Sequence, residues 1–94
     1  MKVIKGISET DPAVKFVGLQ NGFPYAFRPQ NIYKFPARVL FESEDVDELE
    51  NMCAKFNKQR REFTFEIVDR DEYDTYLEIE LQNIEEAKAR RKRG

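Results

Sequence analysis

Apolar and polar positions alternate through much of the first half of the chain. Val14, Phe16 and Gly18 alternate with less regular neighbours, and Gln20-Asn21-Gly22 follows them. An Asn-Gly pair between alternating segments is the signal of a tight two-residue hairpin, because both residues tolerate positive φ. Beyond it Phe23, Tyr25 and Phe27 fall at period two, which places three rings on one face of a strand. Pro29 interrupts. Tyr33 and Phe35 resume the alternation, and Val39 and Phe41 keep the same parity past Pro36. A proline inside such a run predicts an edge strand, a bulge, or two short strands. Met1 to Lys5 adds a further edge strand to this reading.

The period then changes to that of a helix. Val46, Leu49, Cys53 and Phe56 form one narrow apolar stripe and predict a helix at 44–58. Ser43 is the expected N-cap, with Glu44, Asp45 and Asp47 where the helix dipole favours negative charge and Lys55 and Lys58 where it favours positive. Phe63, Phe65 and Ile67 alternate with Glu62, Thr64 and Glu66, as in a half-buried strand. The last stretch supports two patterns. Leu77, Ile79 and Leu81 alternate as a strand would, whereas Tyr73, Leu77, Ile84 and Ala87 fit a helical face. Strong helix formers from Glu78 to Arg93, and Asp69 with Glu72 in a capping-box-like start, favour a long helix over 70–91.

The expected fold is therefore α+β. A small antiparallel or mixed sheet of four to five short strands, in the order β-β-β-β-α-β-α, is packed on one face by two helices, the C-terminal one long. The segment from Arg38 through the helix to Val68 is a β-α-β unit, right-handed if its strands are parallel neighbours. Ninety-four residues form a single small domain, 1–94, with 88–94 a basic tail that frays or projects.

Composition narrows the functions. The chain is 40% hydrophobic and 36% charged, with eight Phe, four Tyr, one Cys and no His. Without imidazole, Ser-His-Asp and Cys-His nucleophile arrangements and histidine-based metal sites are excluded, and the expectation is a protein that is not an enzyme. Cys53 lies on the apolar stripe and reads as a small buried hydrophobe. Asp69, Asp71 and Glu80 match positions one, three and twelve of a calcium loop, but Asp74 stands where that loop needs glycine. No metal and no cofactor are expected. No stretch has the length and apolarity of a secretory signal or a spanning helix, so the chain reads as a soluble, cytoplasmic protein without a membrane partner.

Charge is sorted into blocks. Residues 1–41 carry six basic and two acidic side chains, and Glu42 to Glu50 carry six acids and no base. Lys55, Lys58, Arg60 and Arg61 form a basic cluster, ten acids against one arginine lie between Glu62 and Glu86, and Lys88, Arg90, Arg91, Lys92 and Arg93 close the chain. Such a bipolar surface suits recognition of a macromolecular partner. The leading expectation is a non-enzymatic adaptor or inhibitor that binds a basic protein partner through Glu44, Asp45, Asp47 and Glu48 and the outer face of the last helix. A second reading is a nucleic-acid-associated protein, with Arg90, Arg91, Lys92 and Arg93 on phosphates and Tyr25 and Tyr33 as stacking rings. A third is an assembly protein that forms a homo-oligomer through its C-terminal helix. In general character this short chain, without histidine and with a β-rich half joined to charged helices, resembles small accessory proteins encoded by bacteriophages. The likeness is one of composition.

Overall fold

The computed structural model describes the backbone of residues 1–93 and the side chains of residues 1–89. The elements follow the chain as Lys2–Ile7 (β1), Lys15–Gln20 (β2), Phe23–Phe27 (β3), Pro29–Lys34 (α1), Arg38–Leu40 (β4), Val46–Gln59 (α2), Thr64–Asp69 (β5) and Arg70–Arg93 (α3). Five strands form one antiparallel sheet in the order β3-β2-β1-β5, with β4 paired to β2. Asn21 at φ 53° and Gly22 at φ 83° make the two-residue hairpin between β2 and β3, as their sequence predicts.

The β1 strand occupies the centre of the sheet rather than its edge. It pairs with β5 along its whole length, Lys2 opposite Asp69 through Ile7 opposite Thr64, and with β2 at Lys5 and Gly6. Val3 and Ile4 point to opposite faces, and both are fully buried. One edge of β2 belongs to β3, so its other edge is shared by β1 at Lys15–Phe16 and by β4 at Gly18–Gln20. The Phe41 N–H extends that second contact by donating to Val17 O at 3.0 Å.

Both faces of the sheet are covered, where the sequence suggested one. Ile4, Val17 and Phe65 pack with Leu49 and Phe56 of α2 on one side. Val3 and Phe16 pack with Ile32 of α1 and Tyr73 of α3 on the other, with the Phe16 and Tyr73 rings edge-to-face at 5.3 Å. Burying each of these large side chains contributes about 1.5–3 kcal/mol before entropy is counted. Two covered faces explain why β1 and β2 read as continuous apolar stretches (Val3-Ile4, Phe16-Val17) instead of clean alternation.

Residues 29–34 form a third helix where Tyr33 and Phe35 suggested strand. Pro29 sits at N1, where its locked φ suits a helix start, and forces Arg28 into extended geometry at ψ 147°. Pro29 and Ile32, three apart, are the buried face of this turn, which leaves Tyr33 and Phe35 outward. Pro36 then holds Phe35 extended and ends it. The start of α2 is also shifted. Asp45, not Ser43, is the N-cap, its carboxylate accepting from the Asp47 and Glu48 N–H groups. Ser43 supports it from outside, accepting from Asp45 N–H and donating to Glu48 Oε2.

The strands flanking α2, β4 and β5, are not neighbours, and the antiparallel pairings make them run in opposite directions, so no parallel crossover forms. Arg70–Arg93 is helical throughout, which resolves the two patterns of 75–82. Tyr73, Tyr76 and Leu77 turn inward while Ile79 stays exposed, as helical spacing requires. The capping-box partners of α3 are otherwise engaged: Asp69 holds Lys2 at 2.6 Å and Glu72 holds Lys5 at 3.0 Å. At about 1.5 Å per residue the helix is about 36 Å long. It accounts for the elongated shape, 50 × 28 × 23 Å.

Candidate functional site

The most distinctive surface lies where β3, β2, β4 and the end of α1 meet. Cross-strand pairing lines up Phe23, Gln20 and Arg38 in one row, and Tyr25, Gly18 and Leu40 in the next, all on the side of the sheet that carries α1. Toward the hairpin this side is open. Phe23 is 65% exposed, Tyr25 52% and Phe35 45%. The Arg38 guanidinium lies over two rings, 4.6 Å from the Phe27 centroid and 4.5 Å from that of Phe35. Its Nε donates to Gln20 Oε1 at 3.3 Å. An arginine fixed in this way keeps its planar fork oriented and loses little freedom on binding an anion. Among the described residues Arg38 forms no ion pair.

The chain that builds most of this surface is basic. From Pro12 to Phe41 the chain holds Lys15, Arg28, Lys34 and Arg38 and no carboxylate. An open cleft of about 380 Å³ runs along β3, lined by Gln20, Asn21, Phe23, Tyr25, Phe27 and Arg60. Arg60 reaches it from the end of α2, where it covers the Phe63 ring and pairs with Glu62 at 2.6 Å. The β3 edge itself offers little backbone. Val17 turns its carbonyl to Phe41, away from β3, so the alternation of an antiparallel ladder turns Pro24 and Ala26 outward. Pro24 has no N–H, and the outward donor is that of Ala26.

The acidic candidates lie elsewhere. Glu44, Asp45, Asp47 and Glu48 are all exposed around the start of α2, on the opposite side of the sheet from α1 and α3. Asp45 and Glu48 are engaged in holding that helix start through the bonds described above. Tyr25 and Tyr33 are both exposed, Tyr33 on the outer side of α1 at 67%. The structure joins Tyr25 to Phe27, ring centroids 6.0 Å apart, and so to the Arg38 cluster. Arg90, Arg91, Lys92 and Arg93 fall outside the residues whose side chains are described.

Three polar arrangements between distant parts of the chain were not visible in the sequence. Lys5, on the central strand, is enclosed with its side chain only 11% exposed. It pairs with Glu66 at 3.3 Å and Glu72 at 3.0 Å and lies 5.6 Å from the Tyr76 ring centre. Burial pulls its pKa down, but the bonds to Glu72 and Glu66 outweigh this and hold it above the ordinary lysine value. An ammonium so stabilised is a structural cation and a poor nucleophile. Glu80 of α3 accepts from the Gln30 N–H at 3.3 Å and pairs with Arg28, supplying the N-terminal cap that α1 lacks from its own residues. Asn57 of α2 grips the backbone of Phe65, accepting from its N–H at 2.7 Å and donating to its carbonyl at 3.1 Å. The Cys53 thiol donates to the same carbonyl at 3.1 Å, and burial pushes its pKa up. An interleaved arginine and aromatic rings between Phe23 and Arg38 were the only sequence sign of the open cluster, and its members come from four separate elements.

Among the described residues no three carboxylates or thiols come together as metal ligands, and no helix is long and apolar enough to cross a membrane. No family model matches the chain, and no similar curated protein or solved structure was found.

Proposed function

We propose that the protein is a non-enzymatic macromolecule-binding protein of the adaptor or inhibitor kind, and that its contact surface is the aromatic–arginine end of the sheet. The observation that carries this reading is the gathering of exposed Phe23, Tyr25 and Phe35 around a ring-stacked Arg38. Aromatic and arginine side chains dominate binding energy at macromolecular contacts, because they bury much area at little entropic cost. Left in water, such rings bring no benefit to folding. The acids of α2 play a different part in this reading: Glu44 and Asp47 set the sign of the far side and orient the approach of a partner, while Asp45 and Glu48 maintain the helix.

Affinity capture from cell extract, with and without nuclease, tests the assignment of the surface. The double variant Tyr25→Ala, Phe35→Ala is expected to lose whatever the wild-type protein retains, and Glu44→Gln, Asp47→Gln to keep it. The opposite pattern would return the contact to the acidic helix.

A further inference from the structure

Resting on that contact surface, we infer that its ligand is single-stranded nucleic acid, held with bases against Phe23, Tyr25 and Phe35 and with phosphate on Arg38. The surface combines the two elements that such binding needs, stacking rings and cations along a groove. The rings are supplied at the open end of the sheet, where they are about half exposed or more. The cations are Arg38, stacked on the Phe27 and Phe35 rings, and Arg60, which lines the β3 cleft and is paired with Glu62; the chain from Pro12 to Phe41 contributes no carboxylate. Arg38 already has its Nε satisfied by Gln20, so the remaining face of its fork is available for a bidentate contact to phosphate oxygens.

The polar groups of the cleft point the same way. Gln20 and Asn21 stand at its wall beside Phe23 and Tyr25. Side-chain amides both donate and accept, which suits the exposed edge of an unpaired base. A duplex would not fit this chemistry, because paired bases present no face to a ring. A peptide strand added to the sheet is disfavoured as well, since Pro24 removes one of the outward donors that strand addition uses. The chain as a whole is acidic, with a pI near 5.2, so a polyanion is attracted at this end and repelled from α2. With two cations engaged, the binding is therefore expected to weaken about 7-fold between about 50 and about 200 mM salt.

Fluorescence anisotropy with labelled single strands of about 12 nucleotides, DNA and RNA, tests the inference on the full chain. A duplex of the same sequence serves as comparison, and salt runs from about 50 to about 200 mM. Tyr25→Ala is expected to weaken single-strand binding about 5- to 150-fold, and Tyr25→Phe, which keeps the ring, to leave it near wild type. Arg38→Ala should lower the slope of log K against log salt by about 0.7, the share of one phosphate contact. Circular dichroism on each variant confirms that the fold is intact, and the Tyr25→Phe comparison does not depend on a cavity. Absence of single-strand binding at low salt overturns the inference. So does binding that ignores Tyr25 and Arg38 but disappears when Arg90, Arg91, Lys92 and Arg93 are all replaced by Ala. If no oligonucleotide binds, yet a protein is captured from nuclease-treated extract and lost with Tyr25→Ala, Phe35→Ala, the ligand assignment fails while the contact surface stands.

Discussion

Replacing Asn57 by alanine should destabilise the protein by about 1–2 kcal/mol. The Asn57 amide is the partner of the Phe65 N–H at 2.7 Å and shares its carbonyl with the Cys53 thiol. Phe65 lies on β5, the outermost strand on that side of the sheet, and is only 3% exposed. Without the amide, its carbonyl retains Cys53 but its N–H has no protein partner. Leaving a buried donor unmet costs about 1–3 kcal/mol, and access of water at a sheet edge moves the value to the lower half of that range. For a domain of this length the loss corresponds to a fall in Tm of roughly 5–15 °C. Urea denaturation followed by circular dichroism, with thermal melting alongside, measures it. The Asn57→Asp variant sharpens the test. It keeps an acceptor for the Phe65 N–H but sets a carboxylate against the carbonyl at neutral pH, so it should be no more stable than alanine there. A change below about 0.5 kcal/mol in Asn57→Ala, the scatter of an ordinary surface substitution, would refute the argument.

Four further outcomes are expected. Lys5 has its pKa raised in the folded state, so its contribution to stability is complete below the unfolded value of 10.5 and is lost as pH rises through the higher folded value. Lys5→Met should flatten the alkaline limb of the stability–pH profile measured by urea unfolding, and an unchanged limb would remove Lys5 as its source. Gly6→Ala places a methyl 2.5 Å from Phe65 Cε1 and should cost about 1–3 kcal/mol by forcing the ring to move. Gly22→Ala, with nothing within 4 Å but φ at +83°, should cost about 1–2 kcal/mol from backbone strain alone; equal m-values in denaturant would show that both act on the folded state. Glu80→Gln removes the charge that caps α1 from α3, and hydrogen exchange should quicken at Gln30 and Asn31 while the centre of α2 is unaffected.

The sequence was legible where the determining contacts are local. The α2 stripe of Val46, Leu49, Cys53 and Phe56 and the Asn21-Gly22 hairpin depend on residues within a few positions of each other, and both are present. Where a distant residue decides, local pattern misled. Tyr33 and Phe35 alternate like a strand, but Pro29 and the carboxylate of Glu80, fifty residues away, make the segment a helix. The short β1 strand, carrying two lysines, reads as an edge. It takes the centre with Val3 and Ile4 buried on opposite faces, and Asp69, Glu66 and Glu72 arrive from β5 and α3 to pair with the two lysines. The aromatic cluster shows the same limit: the sequence marks Tyr25 as a candidate stacking ring, and it is exposed, but the stacking of Arg38 on Phe27 and Phe35 exists only once β3, β4 and the end of α1 are assembled.

The two edges of the sheet are treated differently, and this bears on how a ligand would engage. On the β5 side, Asn57 occupies the outward-facing backbone of Phe65 as another strand would, which closes that edge at this residue from within the fold. On the β3 side no such guard is described. There the chain uses Pro24, which withholds a donor, and surrounds the edge with Phe23, Tyr25 and Phe27. An edge that denies backbone pairing while presenting rings is adapted to contact by faces instead of by hydrogen-bonded strands. The salt dependence of that contact should then follow Arg38 and Arg60, and its strength should follow the rings.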